Sequence, residues 1–135
     1  MTNPIKAVVE NSLKVLLVSD LERSKSYYRD VLGCEVTEWW AIRDGLSGLG
    51  FKLLQAAGAD DVRPNPAAKG AEHAWDVYAY VADWEQLDAL YEELTSKGAI
   101  LSYAPNTQDL GWGKWKEFAI KDPDGYGICF GSAAK

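Results

Sequence analysis

The chain has 135 residues, 47% of them hydrophobic and 25% charged, and a formal net charge of −6 at pH 7; that length fits one globular domain and leaves no room for a second. The acidic balance, with no Lys/Arg cluster, excludes electrostatic binding of nucleic acid, and no apolar run is long enough to span a bilayer. Met1 to Glu10 lacks the basic-then-apolar layout of a secretion signal, so a cytoplasmic protein is expected, and Cys34 and Cys129 are too few for a disulfide framework.

In chain order, Leu13 to Val18 is a short β-rich run that ends at Ser19-Asp20, and Asp20 is a good N-cap for a helix beginning at Leu21. Leu21, Ser24, Tyr28, Val31 and Leu32 then recur at helical spacing until Gly33 stops the helix. From Cys34 to Ala57 the pattern is β: Glu35 to Trp40, the turn signal Asp44-Gly45, then Leu46 to Gln55. The stretch from Ala59 to Gly70, with Pro64, Asn65 and Pro66, has the polar, Pro-rich composition of a linker.

The pattern then restarts. His73 to Val81 is a second β run, Asp83 a second N-cap with Gln86 at the capping-box position, and Trp84, Leu87, Leu90, Tyr91 and Leu94 a second apolar helical face closed by Gly98. Ile100 to Tyr103, Lys116 to Lys121 and Tyr126 to Gly131 supply further strands, the last two joined by Asp122-Pro123-Asp124-Gly125. Asp20 and Asp83 open equivalent helices, and Leu13 and Asp76 lie at the same depth on equivalent strands, so the chain reads as a duplicated βαβββ unit. Module one covers about residues 10–57, the linker 58–72 and module two 73–132. The expected class is α+β, with two sheets that together form a half-barrel-like cavity.

Two segments carry a family resemblance: Val18-Ser19-Asp20-Leu21-Glu22-Arg23-Ser24 with Tyr27-Tyr28-Arg29-Asp30-Val31-Leu32-Gly33, and Glu117-Phe118-Ala119-Ile120-Lys121-Asp122-Pro123-Asp124-Gly125. They resemble the signature segments of the vicinal oxygen chelate superfamily, which includes glyoxalases, extradiol dioxygenases, fosfomycin-modifying enzymes and bleomycin-resistance proteins. In the metal-dependent branches the resemblance implies a His on the first strand of each module and a Glu on the last strand. Here those places hold Leu13, Asp76 and Cys129. Leu13 cannot ligate, and Asp76, Cys129 and Gln55 combine a hard carboxylate, a soft thiolate and a neutral amide, a poor set for any one metal. The single histidine, His73, is expected at the surface, on the strand face opposite Asp76. No metal or other cofactor is expected, and without a second His no nucleophilic dyad is indicated.

The chain is similar to the bleomycin-resistance branch in lacking those ligands, in Gly111-Trp112-Gly113 followed by Trp115-Lys116-Glu117-Phe118, which looks like that branch's Trp-Gly-Arg-Glu-Phe stretch, and in the strand Ala74-Trp75-Asp76-Val77. That resemblance implies a homodimer that sequesters a flat cationic antibiotic between aromatic side chains. Trp faces stack on planar rings and attract cations, so Trp112 and Trp115 lead the candidate ligand-binding set, which also includes Trp39, Trp40, Trp75, Asp76 and Cys129. Trp84 is read as core, and Trp39 and Trp40, adjacent on a strand, point to opposite faces, so only one can enter the cavity. The alternative is a glyoxalase-like lyase or a dioxygenase with an atypical metal site; a third reading, a dimeric module serving another protein, needs only an exposed aromatic patch.

Overall fold

The computed structural model describes residues 4–134. Its elements run β1 (Lys14–Val18), α1 (Leu21–Asp30), β2 (Glu35–Val36), β3 (Ala41–Arg43), β4 (Leu49–Gln55), β5 (Val77–Tyr80), α2 (Trp84–Ser96), β6 (Ile100–Asp109), β7 (Lys114–Lys121) and β8 (Gly127–Ala133). They build two four-stranded sheets, ordered β1-β4-β3-β2 and β5-β8-β7-β6. In each, the first strand lies parallel to the last, and the other pairings are antiparallel. The sequence duplication is therefore a duplication of topology, with one helix in each crossover.

Both helices start where side-chain oxygens replace missing intrahelical partners. Asp20 Oδ1 accepts from Arg23 N at 3.1 Å, and Asp83 Oδ1 from Gln86 N at 2.8 Å. The period-two alternation of the strands then assigns their faces. Leu16, Val18, Phe51 and Leu53 are buried beside Tyr28 and Leu32, whereas Val15, Leu17 and Leu54 on the other face are exposed. In the second sheet Phe118, Ile120, Ile128 and Phe130 are buried with Leu87 and Leu94 of α2.

The helix-bearing sides of the two modules share one continuous apolar cluster. Polar ties fix their relation: Tyr28 Oη donates to the buried Asp122 at 2.9 Å, Tyr27 Oη to Lys121 O at 2.7 Å, and Tyr126 Oη to Leu17 O at 2.6 Å. Arg43 adds a bidentate pair with Glu93 of α2. A cleft of about 670 Å³ lies between the β1 and β3–β4 region of the first sheet and β5 and α2 of the second, with Lys14, Arg43, Tyr80, Gln86, Glu93 and Phe130 among its walls.

Three local readings differ from expectation. The run Glu35 to Trp40 is a strand only through Val36; Thr37 Oγ1 then accepts from the backbone N–H of Trp39 and Trp40, and the chain turns. The strand expected from His73 begins at Val77, because Asn65 reaches back from the linker to Trp75 and Asp76 and holds that stretch in a loop. β6 continues past Tyr103 to Asp109 in a long hairpin with β7, which its polar composition concealed.

Candidate functional site

The chemistry gathers on the face of the second sheet turned away from α2. On β7, Phe118 and Ile120 enter the core, so Trp115, Glu117 and Ala119 share the opposite face. Cys129 and Gly131 lie across from them on β8, and Tyr78 and Tyr80 occupy the same face of β5. Glu117 is only 5% exposed. Its Oε1 accepts from Tyr78 Oη at 2.9 Å, and its Oε2 from Tyr103 Oη.

Each phenol is in turn engaged by an indole. Trp115 Nε1 donates to Tyr78 Oη at 2.7 Å, and Trp75 Nε1 to Tyr103 Oη at 2.9 Å. An indole N–H can only donate, so each phenol oxygen is acceptor to its Trp and turns its own hydrogen to Glu117. Two Trp-Tyr chains thus converge on one carboxylate that accepts from both sides. Burial first, then the neighbouring Cys129 and the hydrogen bond to Glu117, raises the pKa of Tyr78 and Tyr103 well above the usual phenol value, which keeps both protonated as donors. The Cys129 thiol lies 3.3 Å from Tyr103 Oη and 3.6 Å from Glu117 Oε2; burial first, then the Glu117 charge, pushes it up to about 12.

Rings surround this centre. Tyr78 packs edge-on against Trp75 at 5.0 Å and stacks with Trp115 at 6.5 Å between centroids, Tyr80 meets Trp115 edge-on at 5.9 Å, and His73 lies over Tyr103 at 4.2 Å. Trp75 is 40% and Tyr80 77% exposed, so ring surface remains free for a ligand. Gly131 makes the arrangement sterically feasible: a Cβ there would lie 2.5 Å from Tyr78 Oη and 2.6 Å from Trp115 Cζ2. The cleft between the sheets borders this cluster through Tyr78 and Tyr80, and two of its charged walls, Arg43 and Glu93, pair with each other.

Of the candidate residues, Trp75, Trp115 and Cys129 come together here. Trp112 sits 71% exposed in the turn between β6 and β7, and Trp39 (66%) and Trp40 (40%) in the turn between β2 and β3. Asp76 is absorbed locally: its Oδ1 accepts from Asn65 N and its Oδ2 from Gly127 N, both at 2.8 Å. His73 is exposed, as expected, but it lies over Tyr103 from a loop and not on a strand face opposite Asp76. Trp84 donates to Ser132 O beside the core and carries Lys116 over its ring. Sequence reasoning misses Glu117, Tyr78 and Tyr103 as site residues, although the alternation Trp115-Lys116-Glu117-Phe118 places a carboxylate and an indole on the face opposite a core Phe.

The candidate donors for a metal, and Leu13 at one of the places where the resemblance implies a ligand, do not fit one. Leu13 packs its methyl over Gly50, Gln55 is spent on backbone groups of the β1–α1 junction, and the oxygens of Asp76 are taken by Asn65 and Gly127. Among the described residues no three His, Cys, Asp or Glu side chains converge as a ligand set.

Residues 10–130 match the model of the glyoxalase/bleomycin resistance protein/dioxygenase superfamily. The chain belongs to that superfamily. No curated protein matches it, but solved structures share its fold. A glyoxalase/bleomycin resistance protein/dioxygenase from Alicyclobacillus acidocaldarius is 14% identical with a TM-score of 0.69, covering 93% of this chain and 92% of its own. A superfamily member from Sphaerobacter thermophilus is 20% identical with a TM-score of 0.65, over 93% of this chain and 98% of its own. TioX from Micromonospora sp. ML1 is 18% identical with a TM-score of 0.58, again over 93% and 98%. At these identities the likeness is one of fold, and a fold of this kind hosts many chemistries.

Proposed function

We propose that this superfamily member is a metal-independent small-molecule binding protein that sequesters an aromatic or cationic, antibiotic-like ligand on the open face of its second sheet. The observation that carries the reading is the convergence of two Trp-Tyr chains on the buried Glu117, with partly exposed ring faces around it. Ring stacking and cation–π contacts contribute about 0.5–2 kcal/mol each, so four rings supply about 2–8 kcal/mol, and the roughly 8 kcal/mol of micromolar affinity is met only with each contact near the top of that range.

The functional unit in this reading is a homodimer. The open face of the first sheet exposes Val15, Leu17 and Leu54, and that of the second exposes Trp75 and Tyr80; laying one on the other in a second copy covers both and closes the site. Light scattering at micromolar concentration should give twice the chain mass, and a monomer would remove the dimer from the account. For the ligand, titration of aromatic cations, bleomycin among them, should quench Trp emission saturably. Elemental analysis of protein expressed with nickel, manganese, iron and zinc supplied should find no stoichiometric metal; a bound equivalent would overturn the metal-independent reading and turn attention to lyase and dioxygenase assays.

A further inference from the structure

We infer that the site selects organic cations that carry no N–H donor, such as quaternary ammonium or N-alkylated heteroaromatic groups, over protonated amines and over neutral molecules of the same shape. The inference rests on the ligand-binding function proposed for this face and concerns what Glu117 contributes to it.

A buried carboxylate is ordinarily compensated by a basic side chain or a metal, because leaving its charge unpaired in a low-dielectric site is costly. Glu117 is almost wholly removed from solvent, yet among the described residues its polar partners are two phenols and a thiol, and none of the ion pairs includes it. The nearest basic residue in sequence, Lys116, points to the other face of β7 and pairs with Asp88. The negative charge at the centre of the ring cluster thus lacks a positive counterpart among the described residues, and a bound cation supplies one.

The hydrogen bonding decides which cation. Each phenol oxygen already accepts from an indole and donates to Glu117, and the carboxylate already accepts at both oxygens. A primary ammonium brings strongly hydrated N–H groups that must find acceptors once buried; Glu117 is only 5% exposed, so reaching its remaining lone pairs would mean parting the phenols and indoles that cover it. A quaternary ammonium or alkylated ring nitrogen is weakly hydrated, needs no acceptor, and presents its charge to ring faces over a large apolar surface. The rings of Trp75, Tyr78, Tyr80 and Trp115 supply those faces, and Glu117 acts through space without contacting the ligand by a hydrogen bond.

The test compares three probes by calorimetric titration of the unmodified protein: benzyltrimethylammonium, its neutral isostere neopentylbenzene, and benzylammonium. Benzyltrimethylammonium should bind at least about tenfold more tightly than either of the others. Glu117→Gln, which keeps shape and removes charge, should bring the quaternary and neutral probes within about threefold of one another. Equal binding of the quaternary and neutral probes by the unmodified protein overturns the inference while leaving the ligand-binding reading intact, and so does tightest binding of benzylammonium. Failure of all three probes to bind overturns both. The wild-type comparison decides the matter even if the variant does not fold.

Discussion

Gly131→Ala perturbs the site at a single point where the geometry sets the size of the effect. An Ala in a strand is ordinarily better than Gly by about 0.5–1 kcal/mol. At Gly131, however, the added Cβ would stand 2.5 Å from Tyr78 Oη, 2.6 Å from Trp115 Cζ2 and 2.7 Å from Trp115 Nε1, so the indole or the phenol must move by roughly 1 Å to restore an ordinary contact distance. Overpacking of that kind costs about 1–3 kcal/mol, and the broken Trp115–Tyr78 hydrogen bond adds about 0.5–1.5 kcal/mol. The net is a loss of about 0.5–4 kcal/mol. With an unfolding entropy of about 2.1 cal/mol/K per residue, a chain of 135 residues loses about 2–14 °C in Tm. Thermal unfolding followed by circular dichroism and by Trp emission reads both the shift and the displaced indole. The companion variant Gly58→Ala, with nothing within 4 Å of the new Cβ and no left-handed backbone, should leave Tm unchanged or slightly raised. An unchanged Tm and unshifted emission for Gly131→Ala would refute the packing argument.

Other variants probe the joints of the fold. Asp122→Ala orphans the Tyr28 hydroxyl and the amides of Asp124 and Tyr126, and should destabilise by about 2–4 kcal/mol in a denaturant titration; a loss below about 1 kcal/mol, the scale of an ordinary surface change, contradicts its role. Glu93 has a pKa lowered first by its hydrogen bond to Arg43. Because the folded value lies below the unfolded value of about 4.3, its contribution is present above that pH and lost as pH falls through the folded pKa. Arg43→Met should therefore flatten the loss of stability below about pH 4.5, and an unaltered acid limb counts against the pair. Burial pushes the thiols of Cys34 and Cys129 up to about 12, so iodoacetamide at about pH 8, below even the ordinary thiol pKa, should label neither in the native protein and both after unfolding, as read by intact mass. Trp112→Ala, in an exposed turn, should hold Tm within about 2 °C.

The architecture was legible because it is written in repeated, local signals. Asp20 with Gly33 and Asp83 with Gly98 bracket the two helices, and the strands beside them alternate cleanly enough to assign a core face. The candidate site was legible only in part. Trp75, Trp115 and Cys129 could be placed by type and position, but the residue at the centre, Glu117, looks on its own like an ordinary strand carboxylate. Its importance comes from Tyr78 and Tyr103, which are remote in sequence and meet it only when β5, β6 and β7 assemble. Trp39 and Trp40 lie in a turn rather than on the expected strand for a local reason: the Thr37 hydroxyl bonds their amides and ends the strand before them. Asp76 stands apart from the ring cluster for a tertiary one, since the linker residue Asn65 and the amide of Gly127 take up its oxygens.

The indole N–H resonances of isotopically labelled protein report directly where an organic cation binds. Trp75 and Trp115 donate to the two phenols of the site, while Trp84 donates to Ser132 O on the core side of the same sheet. Titration with benzyltrimethylammonium should shift the Trp75 and Trp115 resonances together, saturably and with one affinity, while the Trp84 resonance holds still. A saturable shift of Trp84 with Trp75 and Trp115 unmoved would place the ligand elsewhere and contradict the central claim.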